Sequence, residues 1–141
     1  MYSLALLLLI VHIVAFIAGG ANSVVMPMLG RRMATATPEV RDTLSAVAAS
    51  LAKVGKYAMI TLLVTGVLVL WLKWNFVIPN AWFWVKMAGI LAMLVFIGLN
   101  EATAKRIRAG EAGAPQRAAR LGMLTGISFL VVIVSAVFAF N

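Results

Sequence analysis

The sequence predicts an all-α polytopic membrane protein with four transmembrane helices in a bundle and a long second helix extended into the cytoplasmic interface. Two observations carry this fold class. Four stretches, roughly residues 2–29, 57–74, 81–100 and 119–140, are almost purely apolar. At about 1.5 Å of rise per residue, about 20 such residues cross a hydrocarbon core about 30 Å thick. Composition agrees: 64% of residues are hydrophobic and only 11% charged, against about 25% charged in soluble domains. Mean hydropathy is +1.06. The four stretches occupy more than half of the 141 residues, so the expected organisation is a single four-helix transmembrane domain over 1–141, with the lipid bilayer as its surroundings.

The first span is apolar from Tyr2 through Leu29 and is followed by Arg31 and Arg32. Its Ala18-Gly19-Gly20-Ala21 resembles a cleavage site, but no cation precedes the run and apolar residues continue beyond it, so it is expected to be a retained helix. Pro27 is expected to kink or end it.

Thr37 is placed to cap the second helix, Pro38 suits its first turn, and Glu39 and Asp42 suit the positive end of its dipole. Val40, Leu44, Val47, Leu51 and Val54 recur at spacings of 4, 3, 4 and 3, one apolar stripe. With no Gly or Pro between Pro38 and Gly55, a single helix from about Pro38 to Trp74 is expected.

All four tryptophans, Trp71, Trp74, Trp82 and Trp84, flank the short connection to the third span, as an interfacial belt does. Asn80 is placed to cap the third helix, which should run to about Arg108 before Gly110, with Glu101 pairing Lys105 at i, i+4. Gly110 to Pro115 reads as a flexible turn. On the fourth helix Ala118, Gly122 and Gly126 form a small-residue face able to approach another helix, in this chain or in another copy.

The net charge is +8, and ten of the twelve cations fall in the connections between spans one and two and between spans three and four. The positive-inside rule places both connections in the cytoplasm and both termini outside, periplasmic for a multi-pass protein of a bacterial inner membrane. Topology and anionic headgroups account for these cations, and no nucleic-acid partner is expected.

The chain has no cysteine, which excludes disulfides, thiolate metal sites and iron–sulfur clusters. One histidine and four acids leave no catalytic triad, paired catalytic carboxylates or zinc ligand set. Met26, Met28 and Met33 could in principle bind Cu(I), although packing is their ordinary use. The single histidine, His12, falls about 15 Å into the first span, near mid-bilayer, where a coordinating residue marks a functional site. The alternative role is a neutral imidazole bonded to another helix. Lys86, about six residues into the third span, could snorkel to the headgroups or hold a buried carboxylate such as a porphyrin propionate. Asn22, Ser23 and Asn100 add polar capacity toward the inner ends of their helices.

His12 followed by Ala18-Gly19, a basic inner connection, Thr65-Gly66 in span two, and Trp82 with Val85-Lys86 opening span three are together similar to the HemJ family and its CopD-like relatives. These are four-helix bacterial membrane proteins linked to the oxidation of protoporphyrinogen IX. The resemblance implies haem b, with His12 as the metal ligand and Lys86 also required. The chain departs from the family in having Phe16 where Trp is usual and in lacking Asn-Glu-x-Pro at the start of span four. The leading expectation is therefore a haem- or porphyrin-binding redox protein, working as a homo-oligomer or within a larger membrane complex. The competing expectation is a non-enzymatic accessory subunit of such a complex. A transporter is disfavoured because no acid lies within a membrane core.

Overall fold

The computed structural model describes residues 2–78 and 80–141, and the backbone alone of Pro115. It is all-helical, with α1 Tyr2–Thr35, α2 Pro38–Trp74, α3 Ala81–Arg108 and α4 Ala114–Ala139, and no strand among the described residues. All four helices are long and apolar enough to cross a membrane. The chain divides into two compact units, Met1–Ile78 and Pro79–Asn141, each an antiparallel helical hairpin.

In the first hairpin the turn is the pair Ala36-Thr37. Pro38 disfavours helical backbone in the residue before it, and Thr37 is extended at φ −62°, ψ 157°. Its side chain makes no cap, but its carbonyl accepts from Arg41 N at 2.8 Å, and Pro38 occupies the first turn as expected. Arg41 reaches back to the end of α1, donating from Nε to Met33 O (3.2 Å) and from Nη2 to Ala36 O (3.3 Å), a cation on orphan carbonyls at the negative end of a helix. From Pro38 to Trp74 the helix is unbroken for 37 residues, about 55 Å. Asn75 ends it in the left-handed region (φ 45°), where asparagine is tolerated, and Phe76 N donates to Leu70 O to close the cap.

Two sequence expectations change here. α1 neither ends at Pro27 nor stops near Leu29, but continues to Thr35. Pairing with α2 supplies the reason, since the seam between the helices extends past the proline to Leu29 and Met33. The stripe Val40–Leu44–Val47–Leu51–Val54 is also split. Leu44 and Leu51 face α1, whereas Val40, Val47 and Val54 stay about half exposed, because the buried line runs Leu44, Ala48, Leu51, Gly55, Ala58. That 4-3-4-3 order is the 3.5-residue repeat of helices that wind around each other.

The same repeat builds the second hairpin, where Leu121, Thr125, Ser128, Val132, Ser135 and Ala139 of α4 pack on α3. Contact is closest at Gly89, where a Cβ would lie 2.8 Å from Val132 Cγ2 and 3.5 Å from Ser128 O. Small residues let membrane helices approach in this way. Asn80 caps α3 as expected, accepting from Trp82 N at 3.0 Å, and its amide also donates to Phe138 O at 3.1 Å, tying the start of α3 to the end of α4. Trp82 stacks on Phe138 with ring centroids 5.0 Å apart. Gly113, left-handed at φ 79°, precedes α4, so Ala114 and Pro115 belong to the helix and not to the turn. Glu101 does not pair with Lys105. The ion pair among the described residues is Arg106–Glu111 at 3.8 Å, half exposed on both sides and worth at most about 1 kcal/mol.

Candidate functional site

The polar side chains of the seams fall into two kinds. Thr103, Thr125 and Ser135 bond their own helix, donating to Leu99 O, Leu121 O and Val131 O respectively. Such back-bonding to a carbonyl one turn earlier lets a hydroxyl lie at a dry interface without a partner from the opposite helix. His12 and Asn22 of α1 differ, since each reaches across to α2 and each has a glycine facing it.

His12 lies half-buried in the α1–α2 seam with Nδ1 2.8 Å from Thr65 Oγ1. Thr65 is 5% exposed, and its hydroxyl donates to Thr61 O at 2.6 Å with a longer approach to Leu62 O at 3.4 Å. Next in sequence, Gly66 seats the imidazole: a Cβ there would be 3.3 Å from His12 Cε1 and 3.9 Å from Nδ1. Any other residue would press on the ring.

Ten residues along α1, Asn22 Nδ2 donates to Leu51 O at 3.0 Å, and a Cβ on Gly55 would collide with that amide nitrogen. Asn22 Oδ1 is buried without a protein partner. Between the two sites Gly19 faces Ala58, with a Cβ at Gly19 3.9 Å from that of Ala58. The pairs His12–Thr65, Gly19–Ala58 and Asn22–Gly55 step by 7 and then 3 residues on both helices, so one register serves all of them.

Toward the end of the hairpin that holds Tyr2 and Trp74, an open groove of about 540 Å³ is lined by Leu4, Leu8, Leu68, Trp71, Leu72 and Asn75. Leu8 is one helical turn from His12, although His12 itself does not line the groove.

Lys86 belongs to the other hairpin. It is half-buried beside α4, and its Nζ stands 5.0 Å from the centroid of the Phe140 ring, a cation–π contact at the end of the chain. No carboxylate among the described residues pairs with it. Met26 and Met33 sit in the α1–α2 seam while Met28 is exposed, so the methionines do not converge as a metal set would. Among the described residues there is also no group of three or more His, Cys, Asp or Glu able to hold a metal.

Gly66 stands out in the sequence only beside Thr65, as part of the resemblance, and the part that Gly66 and Gly55 play opposite α1 is not legible there. Folding the chain back at Ala36-Thr37 brings His12 opposite the 60s and Asn22 opposite the 50s, and each region of α2 holds one glycine. On α4, by contrast, a Cβ at Gly122 or Gly126 would meet no atom within 4 Å, so α3–α4 pairing does not use that face.

The chain matches no family model, and no curated protein or solved structure is found similar to it.

Proposed function

We propose that this chain is a haem- or porphyrin-binding redox protein of a bacterial inner membrane, with both termini periplasmic, acting as a homo-oligomer or within a larger membrane complex. The single observation that carries the reading is the mounting of His12. An imidazole in the membrane-spanning part of a hairpin is held at Nδ1 by a buried hydroxyl and seated on a glycine. Metal-binding histidines are oriented by such a partner on their other nitrogen.

His12 is the residue that would hold haem b, a single imidazole set in the α1–α2 seam. The resemblance adds Lys86, on the other hairpin, as a second required residue. Haem, when bound, supplies one-electron chemistry. The chain's own part is to hold the imidazole, keep water from it and set its orientation.

The purified protein supplied with haem should show a Soret band that His12→Ala abolishes without loss of membrane insertion. Lys86→Ala should weaken retention of the porphyrin more than it weakens the fold. A wild-type protein that stays colourless with haem supplied overturns the reading. The alternative, an accessory subunit of a larger complex, is favoured by the open face at Gly122 and Gly126. It would be recognised by a colourless protein that co-purifies with a defined membrane complex and loses it on Gly122→Leu.

A further inference from the structure

We infer that Thr65 sets the position of the proton on His12: the hydrogen is on Nδ1, and Nε2 is the nitrogen that carries the lone pair. This deepens the reading above and takes its functional meaning from it, but the proton's position is a property of the chain alone.

A threonine hydroxyl has one hydrogen to give and lone pairs to receive with. Thr65 Oγ1 lies 2.6 Å from Thr61 O. A carbonyl oxygen only accepts, and two oxygens at that separation need a hydrogen between them. The single hydroxyl hydrogen is therefore committed to Thr61 O. Leu62 O, at 3.4 Å, can only share that hydrogen, so the other short contact of Thr65 Oγ1, at 2.8 Å to His12 Nδ1, requires Nδ1–H to donate to a hydroxyl lone pair. The opposite arrangement, with the hydroxyl turned toward a bare Nδ1, leaves the 2.6 Å oxygen contact without a hydrogen at a residue only 5% exposed, where no water relieves it.

Gly66 completes the device. With Cε1 and Nδ1 of the imidazole packed on its Cα face, the ring cannot slide along α2, and turning it over exchanges Nδ1 for a carbon and gives up the bond to Thr65. Thr65 is thus a positioning residue: it sets which nitrogen of His12 accepts, the property that decides where a metal ion or a proton donor can approach.

The chain has one histidine, so after histidine-selective ¹⁵N labelling the two ring resonances in lipid bilayers belong to His12 without further assignment. Protonated and bare ring nitrogens are well separated, and couplings to the ring carbons tell Nδ1 from Nε2. No cofactor is needed. At a pH where the ring is neutral, the wild type and Thr65→Ser should both show the hydrogen on Nδ1. Thr65→Val, the same shape without the hydroxyl, should move the tautomer ratio roughly tenfold toward Nε2–H, about 1.4 kcal/mol, the scale of one net hydrogen bond.

A hydrogen on Nε2 in the wild type, or a Thr65→Val spectrum equal to the wild type's, overturns the inference. If Thr65→Val fails to insert, the wild-type and Thr65→Ser spectra still decide it. A colourless protein with its hydrogen on Nδ1 removes the haem reading and leaves this one standing.

Discussion

Gly55 tests the packing logic of the first hairpin most directly. Three effects act when it becomes alanine. Helix propensity improves by about 1 kcal/mol. The new methyl occupies the place of Asn22 Nδ2, so the amide must move and lose its 3.0 Å bond to Leu51 O, about 0.6 kcal/mol on average and up to about 1.7 for polar contacts between membrane helices. Displacing packed side chains costs about 1–3 kcal/mol more. Gly55→Ala should therefore destabilise by about 0.5–3.5 kcal/mol net.

In an Asn22→Ala background nothing obstructs the methyl, only the propensity term remains, and the same substitution should stabilise by about 0.5–1 kcal/mol. The cycle then has a coupling of about 1.5–4.5 kcal/mol, well above the ~0.5 within which independent sites add. Reversible unfolding in mixed detergent micelles, followed by circular dichroism for all four proteins, measures it. Additivity within about 0.5 kcal/mol would refute the claim that glycine is required here by the amide across the seam.

Other outcomes follow from the same contacts. Asn80→Ala removes both the cap on Trp82 N and the link to Phe138 O, and should cost about 1–2 kcal/mol in the same assay. Gly122→Ala and Gly126→Ala enter open space and should be neutral or stabilising by up to about 1 kcal/mol; a loss would mean that a partner covers this face. Ser135→Ala should cost less than about 1 kcal/mol because its hydroxyl serves only its own helix, so a larger loss would show an interhelical role. A periplasmic reporter fused after Asn141 should be active, and a cytoplasmic signal would reverse the orientation.

Helix extents were legible where capping chemistry and apolar runs agreed. The unbroken Pro38–Trp74 helix, the end of α3 at Arg108 and the Asn80 cap all follow from local rules. Features set by a partner helix were not. Of the kink or end expected at Pro27 the end does not occur, and α1 runs on beside α2 to Thr35. Val47 and Leu51 look equivalent along one helix, and only the rotation of that helix against α1 buries the leucine and exposes the valine. Glu101 and Lys105 have ion-pair spacing, but exposed pairs of this kind gain too little to order two long side chains. His12 announced itself as the single histidine of the chain. Thr65 stood out only as half of the Thr65-Gly66 pair of the resemblance, and its bond to His12 was not legible, because hydroxyls are frequent in these helices and most bond backwards within their own turn.

The two hairpins use the same repeat but solve the burial of polar groups differently, and the difference bears on where chemistry can reside. In α3–α4 the hydroxyls of Thr103, Thr125 and Ser135 bond within their own helices, and the amide of Asn80 bonds across the seam at its end, so the middle of the interface would survive removal of those hydroxyls. In α1–α2 an imidazole and an amide draw on acceptors of the opposite helix, and glycines make room for them. That arrangement ties the orientation of His12 to the register of the hairpin. A slip of one residue would replace Gly66 beneath the ring with Thr65 or Val67, and the imidazole would lose its seat. A helix pair that needed only to span a bilayer would be more tolerant if built from alanine and leucine. The cost in tolerance is explained if the orientation of His12 is itself what the hairpin is built to preserve.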